Sequence, residues 1–289
     1  IWRHQHLRPD ACAVEASSQI RGRLRVSKLT AFIKRHPALL VGARFAYRWL
    51  QPLYRQPVTG WAGYARLFSD WRRYLAAGGK ARLADFYPRL EDSTRETPFD
   101  PQYFYQAVWA FSKIHQAAPA IHVDVGSDVK FVGMLSAVTM VEFVDIRPLP
   151  AQLENLQCRA GSLLSLPYET GSVHSLSSMH VLEHVGLGRY GDPIDPGGMK
   201  KACAELQRVL APGGQIYVSV PVGRPRVQFN AHRVLALAEV IGFFNGLTLV
   251  ETAFVDNHGR YHPSIRPEEM CFDERGGSDY ALGCFHFVK

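Results

Sequence analysis

Apolar positions keep a helical spacing up to about residue 115 and change to short strand-like runs from Ala120 onward. Leu29 to Leu53 mixes aromatic and aliphatic residues with Lys34, Arg35, Arg44 and Arg48, the pattern of an amphipathic helix broken at Pro37. Gly63 to Ala77 and Gln102 to His115 continue the helical period, separated by a charged, turn-rich link at Glu91 to Pro101. Beyond Ala120 the runs IHVDVG, TMVEFVD, Leu156 to Ala160, VHSLSSMH, QIYVSVP, Thr248 to Val255 and Ala281 to Val288 predict seven strands. Helices are expected between several of them, at Met199 to Leu210, stopped by Pro212 and Gly213, and at His232 to Phe244. Alternation of this kind predicts an α/β fold with a doubly wound, seven-stranded, mostly parallel sheet. The domains predicted are a basic helical N-terminal extension over residues 1–115 and an α/β domain over 116–289.

Charge sharpens that division. Residues 1–100 carry 18 Lys and Arg against 8 Asp and Glu, whereas the remainder carries 15 against 18. A basic first third interleaved with aromatic residues fits peripheral contact with an anionic membrane surface, or simple packing on the core domain. No recognised nucleic-acid-binding motif accompanies it. Five cysteines, Cys12, Cys158, Cys203, Cys271 and Cys284, are odd in number and form no CxxC pair, which predicts reduced thiols rather than a disulfide framework or a structural zinc module. The Arg- and His-rich start has no apolar centre, and no run of about 18 apolar residues occurs, so a cytoplasmic chain is expected.

Candidate chemistry concentrates between Ala118 and Pro221. VDVGS (Val123 to Ser127), VDIRP (Val144 to Pro148), LPYETGSV (Leu166 to Val173), SMHVLEHV (Ser178 to Val185) and RVLAPGGQIYVSVP (Arg208 to Pro221) follow one another at strand ends. In these motifs the chain resembles the class I S-adenosylmethionine-dependent methyltransferases over roughly residues 118–289. HVLEHVGLGRYGDPIDP (His180 to Pro196) resembles more narrowly a methyltransferase-like family known only as a domain of unknown function. The resemblance implies S-adenosylmethionine as cofactor, held by Asp124, Gly126, Ser127, Asp145, Ile146, Ser162, Leu163 and His180. In it Asp124 holds the first turn and attracts the cofactor's ammonium, Gly126 lets the backbone approach, and Asp145 accepts from both ribose hydroxyls. The chain departs from the pattern in having Ser127, Asp128 and Val129 where further glycines are usual, and Ser162 and His174 where carboxylates are usual.

Methyl transfer to a hydroxyl needs alignment and a base. His184, whose ordinary pKa lies near neutrality, is the candidate general base, with Glu183 to orient it. Arg189, Tyr190, Asp192, Asp195 and His232 offer polar groups to an acceptor, expected to be a polar small molecule or a glycan or glycolipid. Arg224, Arg226, Asn230 and Arg233 follow nearby. Two other readings stand beside this one. The lost glycines and carboxylates fit a catalytically inactive, methyltransferase-like binding or assembly subunit. HVLEH also matches the inverted zinc-protease pattern H-x-x-E-H, with Asp192, Asp195 or His232 as a third ligand, but that pattern belongs on a helix and His180 directly follows a strand. A divalent cation between Asp192, Asp195 and His232 is a further possibility. No metal is assigned in the reading adopted.

Overall fold

All seven strands form where the apolar runs place them; the computed structural model describes residue 50, residues 59–270 and residues 280–289. The helix expected over Leu29 to Leu53, Leu50 apart, and the cysteines Cys12 and Cys271 lie outside the described residues. Among the described residues no helix is long and apolar enough to cross a membrane. The chain divides into two compact units at Pro98 and Phe99.

In the first unit, helix α1 (Thr59–Ala76) leaves Arg72 and Arg73 exposed and turns Trp71 inward. The indole donates to Ala81 O at 3.0 Å and packs edge-on against Phe86.

The second unit begins with helix α2 (Pro101–Ala117), where Asp100 caps the amides of Gln102 and Tyr103. Gln106, Trp109, Ala110 and Ile114 recur on one face at spacings of three and four and are buried against the sheet. This helix therefore belongs with the α/β unit, and that unit starts before residue 116. Strand β1 (Ile121–Val125) leads into helix α3 (Val129–Leu135), then β2 (Met140–Asp145), β3 (Leu156–Ala160) and β4 (Val173–Met179). Helix α4 (Gly198–Val209) runs directly into the long strand β5 (Leu210–Val222). A hairpin of β6 (Arg226–Gln228) and β7 (His232–Val234), helix α5 (Leu237–Phe243), β8 (Thr248–Val255), the two-residue β9 (Tyr261–His262) and β10 (Ala281–Val288) complete the unit.

The main sheet has the order β3-β2-β1-β4-β5-β10-β8-β9. Its first five strands are parallel, while β10 pairs antiparallel with β5 and β8. It is the doubly wound, Rossmann-like sheet expected from the sequence, with an eighth member because Tyr261–His262 adds to the edge of β8. Helices α2 and α3 cover one face and α4 and α5 the other, each with its own apolar cluster. Two expectations needed correction. The helix over His232 to Phe244 starts only at Leu237, because His232–Val234 pairs with Arg226–Gln228 and buries Val234 beside β5. Leu210 opens β5 instead of closing α4.

The order in which successive strands join the sheet reverses between β1 and β4. Strands β2 and β3 lie to one side and β5 to the other, so the carboxyl ends of β1 and β4 border a crevice at the switch point of the sheet.

Candidate functional site

Three strand ends build the crevice. After β1, Gly126 takes φ +76°, and a Cβ there would stand 2.9 Å from Val181 Cγ1, so a bare backbone is required at this turn. Helix α3 starts at once, capped by Asp128 on the amides of Lys130 and Phe131; this is what the polar residues after Gly126 do in place of further glycines. β2 ends on Asp145, whose Oδ1 accepts from Arg147 N at 2.6 Å while its other oxygen makes no hydrogen bond among the described residues. After β4 comes His180, a non-glycine residue at φ +61°, followed by a turn of 3₁₀ helix over Leu182–His184.

Between these ends lie a cavity of about 120 Å³ and, beside it, a groove of about 430 Å³. Gly126, Asp145, Arg147, His180 and Tyr190 line both, so the two form one crevice of the size that takes a small molecule. Its cavity end has apolar walls of Ile146, Leu163, Leu164 and Val181. Tyr190 stands at the mouth with the guanidinium of Arg147 4.4 Å above its ring and that of Arg189 at 5.0 Å.

Of the eight residues expected at a cofactor, Gly126, Asp145, Ile146, Ser162, Leu163 and His180 line the cavity. Ser162 Oγ accepts from Leu164 N at 3.1 Å and so shapes its own turn. Asp124 is not on the wall. It is 0% exposed, and its carboxylate accepts from Ser127 N at 3.1 Å, from Ser127 Oγ at 2.7 Å and from Ser177 Oγ. Ser127 Oγ also accepts from Met179 N at 2.9 Å, which ties the β1 turn to β4. Asp124 therefore holds the turn but does not reach a ligand's ammonium, and Ser127 meets the groove while its hydroxyl faces inward.

No motif announces what lies behind this pair. His122 is fully buried between Ser175 (2.7 Å to Nδ1) and Ser177 (2.8 Å to Nε2). Ser177 donates to Asp124, so it accepts from His122 Nε2–H, and Nδ1 accepts from Ser175. Burial takes the His122 pKa down to about 3, leaving the ring neutral. Burial takes Asp124 the other way, to about 6, against the lowering effect of the Ser127 and Ser177 hydrogen bonds.

His180, Glu183 and His184 meet at the crevice, their ligating atoms within 4.8 Å of one another. They are brought together by the left-handed backbone at His180 and the 3₁₀ turn, not by the α-helix that the H-x-x-E-H pattern requires, so that pattern's scaffold is missing here. Glu183 is 0% exposed; Oε1 hydrogen-bonds with His180 Nδ1 and lies 3.7 Å from His184 Nε2, and Oε2 has no partner among the described residues. Burial pushes the Glu183 carboxyl up, but the charge and hydrogen bond of His180 and the charge of His184 outweigh it and leave it below its usual range. His184 Nδ1–H donates to Ala231 O at 2.6 Å, which fixes the tautomer and leaves the Nε2 lone pair free. Burial, joined by the nearby Arg189 and His180 charges, lowers the His184 pKa despite the opposing pull of Glu183 and Ala231 O.

The acceptor candidates separate. Tyr190 and Asp192 line the cavity; Arg189, Asp195 and His232 do not. Asp192 spends its carboxylate on the amides of Gly186 (2.7 Å), Gly188 (3.4 Å) and Tyr190 (3.3 Å), folding the loop that carries Tyr190. Arg189 donates to Ala231 O, and Asp195 accepts from Gly197 N and Lys201 Nζ. His232 stands behind His184, ring centres 6.4 Å apart, with Nε2 buried and without a hydrogen-bond partner among the described residues. Asp192, Asp195 and His232 form no ligand set among the described residues. Arg233 is buried and donates to the carbonyl oxygens of Glu183 and Val185, a scaffold role. His174 sits exposed at the start of β4, at the end of the strand away from the crevice. Tyr103, stacked on the His180 ring at 5.1 Å, comes from α2 and no motif announced it.

The family model of a Caenorhabditis protein of unknown function, DUF268, matches residues 168–263, which run from just before β4 through β9. No curated protein matches the chain. Solved structures similar to it include Burkholderia thailandensis 1,6-didemethyltoxoflavin-N1-methyltransferase with S-adenosylhomocysteine, at 15% identity and TM-score 0.46, covering 78% of this chain and 88% of that one. The N-methyltransferase NodS from Bradyrhizobium japonicum WM9, with S-adenosylhomocysteine, is similar at 16% identity and TM-score 0.45, over 71% of this chain and 92% of that one. Geranyl diphosphate methyltransferase with SAM is similar at 17% identity and TM-score 0.46, over 64% and 84% of the respective chains.

Proposed function

We propose that the protein is an S-adenosylmethionine-dependent methyltransferase acting on a hydroxyl of a polar small molecule or glycan. The observation that carries this reading is the crevice at the switch point, where the bare turn of Gly126 and the available carboxylate oxygen of Asp145 flank apolar walls. Those groups suit a nucleoside: Asp145 would accept from the ribose hydroxyls, Ile146, Leu163 and Leu164 would cover the base, and Gly126 would admit the amino-acid part. When bound, the cofactor supplies an electrophilic methyl carbon on a sulfonium. The protein's part is to align the acceptor and remove its proton. His184, a neutral residue of the cavity lining, would take the hydroxyl proton at Nε2, and Glu183 Oε1 at 3.7 Å would stabilise the imidazolium that forms. Tyr190, braced by two guanidinium groups, offers the acceptor a flat face at the mouth.

Calorimetric titration with S-adenosylhomocysteine tests the reading. Binding is expected, and D145A should weaken it at least tenfold, the usual loss when a hydrogen bond to a charged group goes (about 1.5–3 kcal/mol). Absence of heat would instead favour an inactive scaffold of the same fold.

A further inference from the structure

We propose that His180, Glu183 and His184 form a binding site for a divalent transition-metal ion of the Zn²⁺ type. Two imidazoles and one carboxylate are a donor set that first-row ions take in preference to Mg²⁺ or Ca²⁺, which favour oxygen. His184 Nε2 and Glu183 Oε1 stand 3.7 Å apart, close to the span of about 3.3 Å for two ligands each about 2.0–2.1 Å from one tetrahedral ion, while His180 Nδ1 and Glu183 Oε1 are in direct hydrogen-bond contact and would move apart to admit it. All three residues contribute an atom to a group no wider than 4.8 Å.

Three further observations point to a ligand. Glu183 is completely buried and its Oε2 has no partner among the described residues, so a buried anion has acceptor capacity that they do not fill. His184 is oriented as a ligand would be: Nδ1–H is anchored on Ala231 O, and the Nε2 lone pair faces the carboxylate. His180 is held at φ +61°, a conformation that a side chain with a Cβ rarely adopts, and its ring is braced by the stacked Tyr103. His180 and His184 also line the cavity, so an ion held by three protein groups keeps a position open to whatever fills the crevice. In the ion-free protein the hydrogen bond between His180 and Glu183 occupies the same place, and an ion would replace its proton.

Binding stands on this geometry alone. Its consequence rests on the methyl-transfer reading: an ion on His184 Nε2 takes the lone pair that would accept the proton, so Zn²⁺ should inhibit reversibly, with recovery on chelation.

The test uses the full chain without cofactor or acceptor, titrated with Co²⁺ and then Zn²⁺. One equivalent of Co²⁺ should give visible ligand-field absorption that Zn²⁺ displaces, and Zn²⁺ should shift the ring NMR signals of His180 and His184 while those of His122 and His286 stay in place. H184Q and E183Q should each weaken binding at least tenfold. No stoichiometric binding by the wild-type chain, or binding that moves other histidines instead, overturns the site. The wild-type ring signals decide this even where a variant does not fold. Because S-adenosylhomocysteine is titrated separately, loss of the metal site and loss of the methyltransferase reading are told apart.

Discussion

Asp124 and His122 illustrate how one burial acts on two groups with opposite results. The folded His122 has its pKa reduced to about 3 from the ordinary 6.5, so its contribution to stability is present above pH 6.5 and is lost as pH falls toward 3. Asp124 has its pKa raised from 3.8 to about 6, so its contribution is present below 3.8 and is lost as pH rises to 6. Between about pH 6 and 3.8 the unfolded chain holds one more proton on His122 and the folded chain one more on Asp124, and the two slopes cancel. D124N removes one side of that balance. Its Tm should fall progressively behind the wild type as pH is lowered from 6 to 3.8, by the equivalent of about 3 kcal/mol, measured by thermal melts across that range. His184 answers to pH at the level of activity. Its lowered pKa keeps Nε2 unprotonated at neutrality, so kcat should rise with pH along a limb centred below 6.5 and level off above it. A limb centred above 6.5 would remove His184 as the base.

At the scale of elements, the site is made by turns that strands and helices hold in place. The loop after the 3₁₀ turn folds around the Asp192 carboxylate, which collects three backbone amides and thereby presents Tyr190. D192A leaves those amides to water or unpaired, so Tm should drop by about 1–2 kcal/mol equivalent and S-adenosylhomocysteine should bind several-fold more weakly, through a disordered Tyr190. An unchanged Tm and affinity would show that the loop holds itself by other contacts. Asp192 was expected to touch an acceptor; it lines the cavity while its carboxylate also holds the amides of its own loop, whereas Asp195 is bound to Gly197 and Lys201 away from the cavity. A carboxylate in a glycine-rich loop reads the same in sequence whether it faces a ligand or its own backbone. Only the path of the loop distinguishes the two.

Across the α/β unit, helix α2 supplies part of the core. Trp109, Ala110 and Ile114 lie under the sheet, Trp109 Nε1 donates to Glu251 Oε1 at 3.3 Å, and Lys113 Nζ pairs with Glu251 Oε2 at 2.5 Å, fastening α2 to β8. A fragment of residues 99–289 is therefore expected to melt cooperatively, and one of residues 116–289 to be insoluble or molten, since it exposes the apolar face that α2 covers. Circular dichroism melts of the two compare them, and cooperative melting of the shorter fragment would show that α2 is dispensable. The amino-acid order by itself determined the seven strands, the doubly wound architecture and the strand ends that carry Gly126, Asp145 and His180, because apolar periodicity and turn residues act over a few neighbours. The tertiary structure decided which polar groups remain available. It put Asp124 under the turn and Arg233 under the 3₁₀ segment, paired His232–Val234 into a hairpin against a helical-looking pattern, and brought Tyr103 from α2 over His180. Those outcomes depend on which distant residue fills each hydrogen bond and each void, and contacts of that kind leave no periodic trace along the chain.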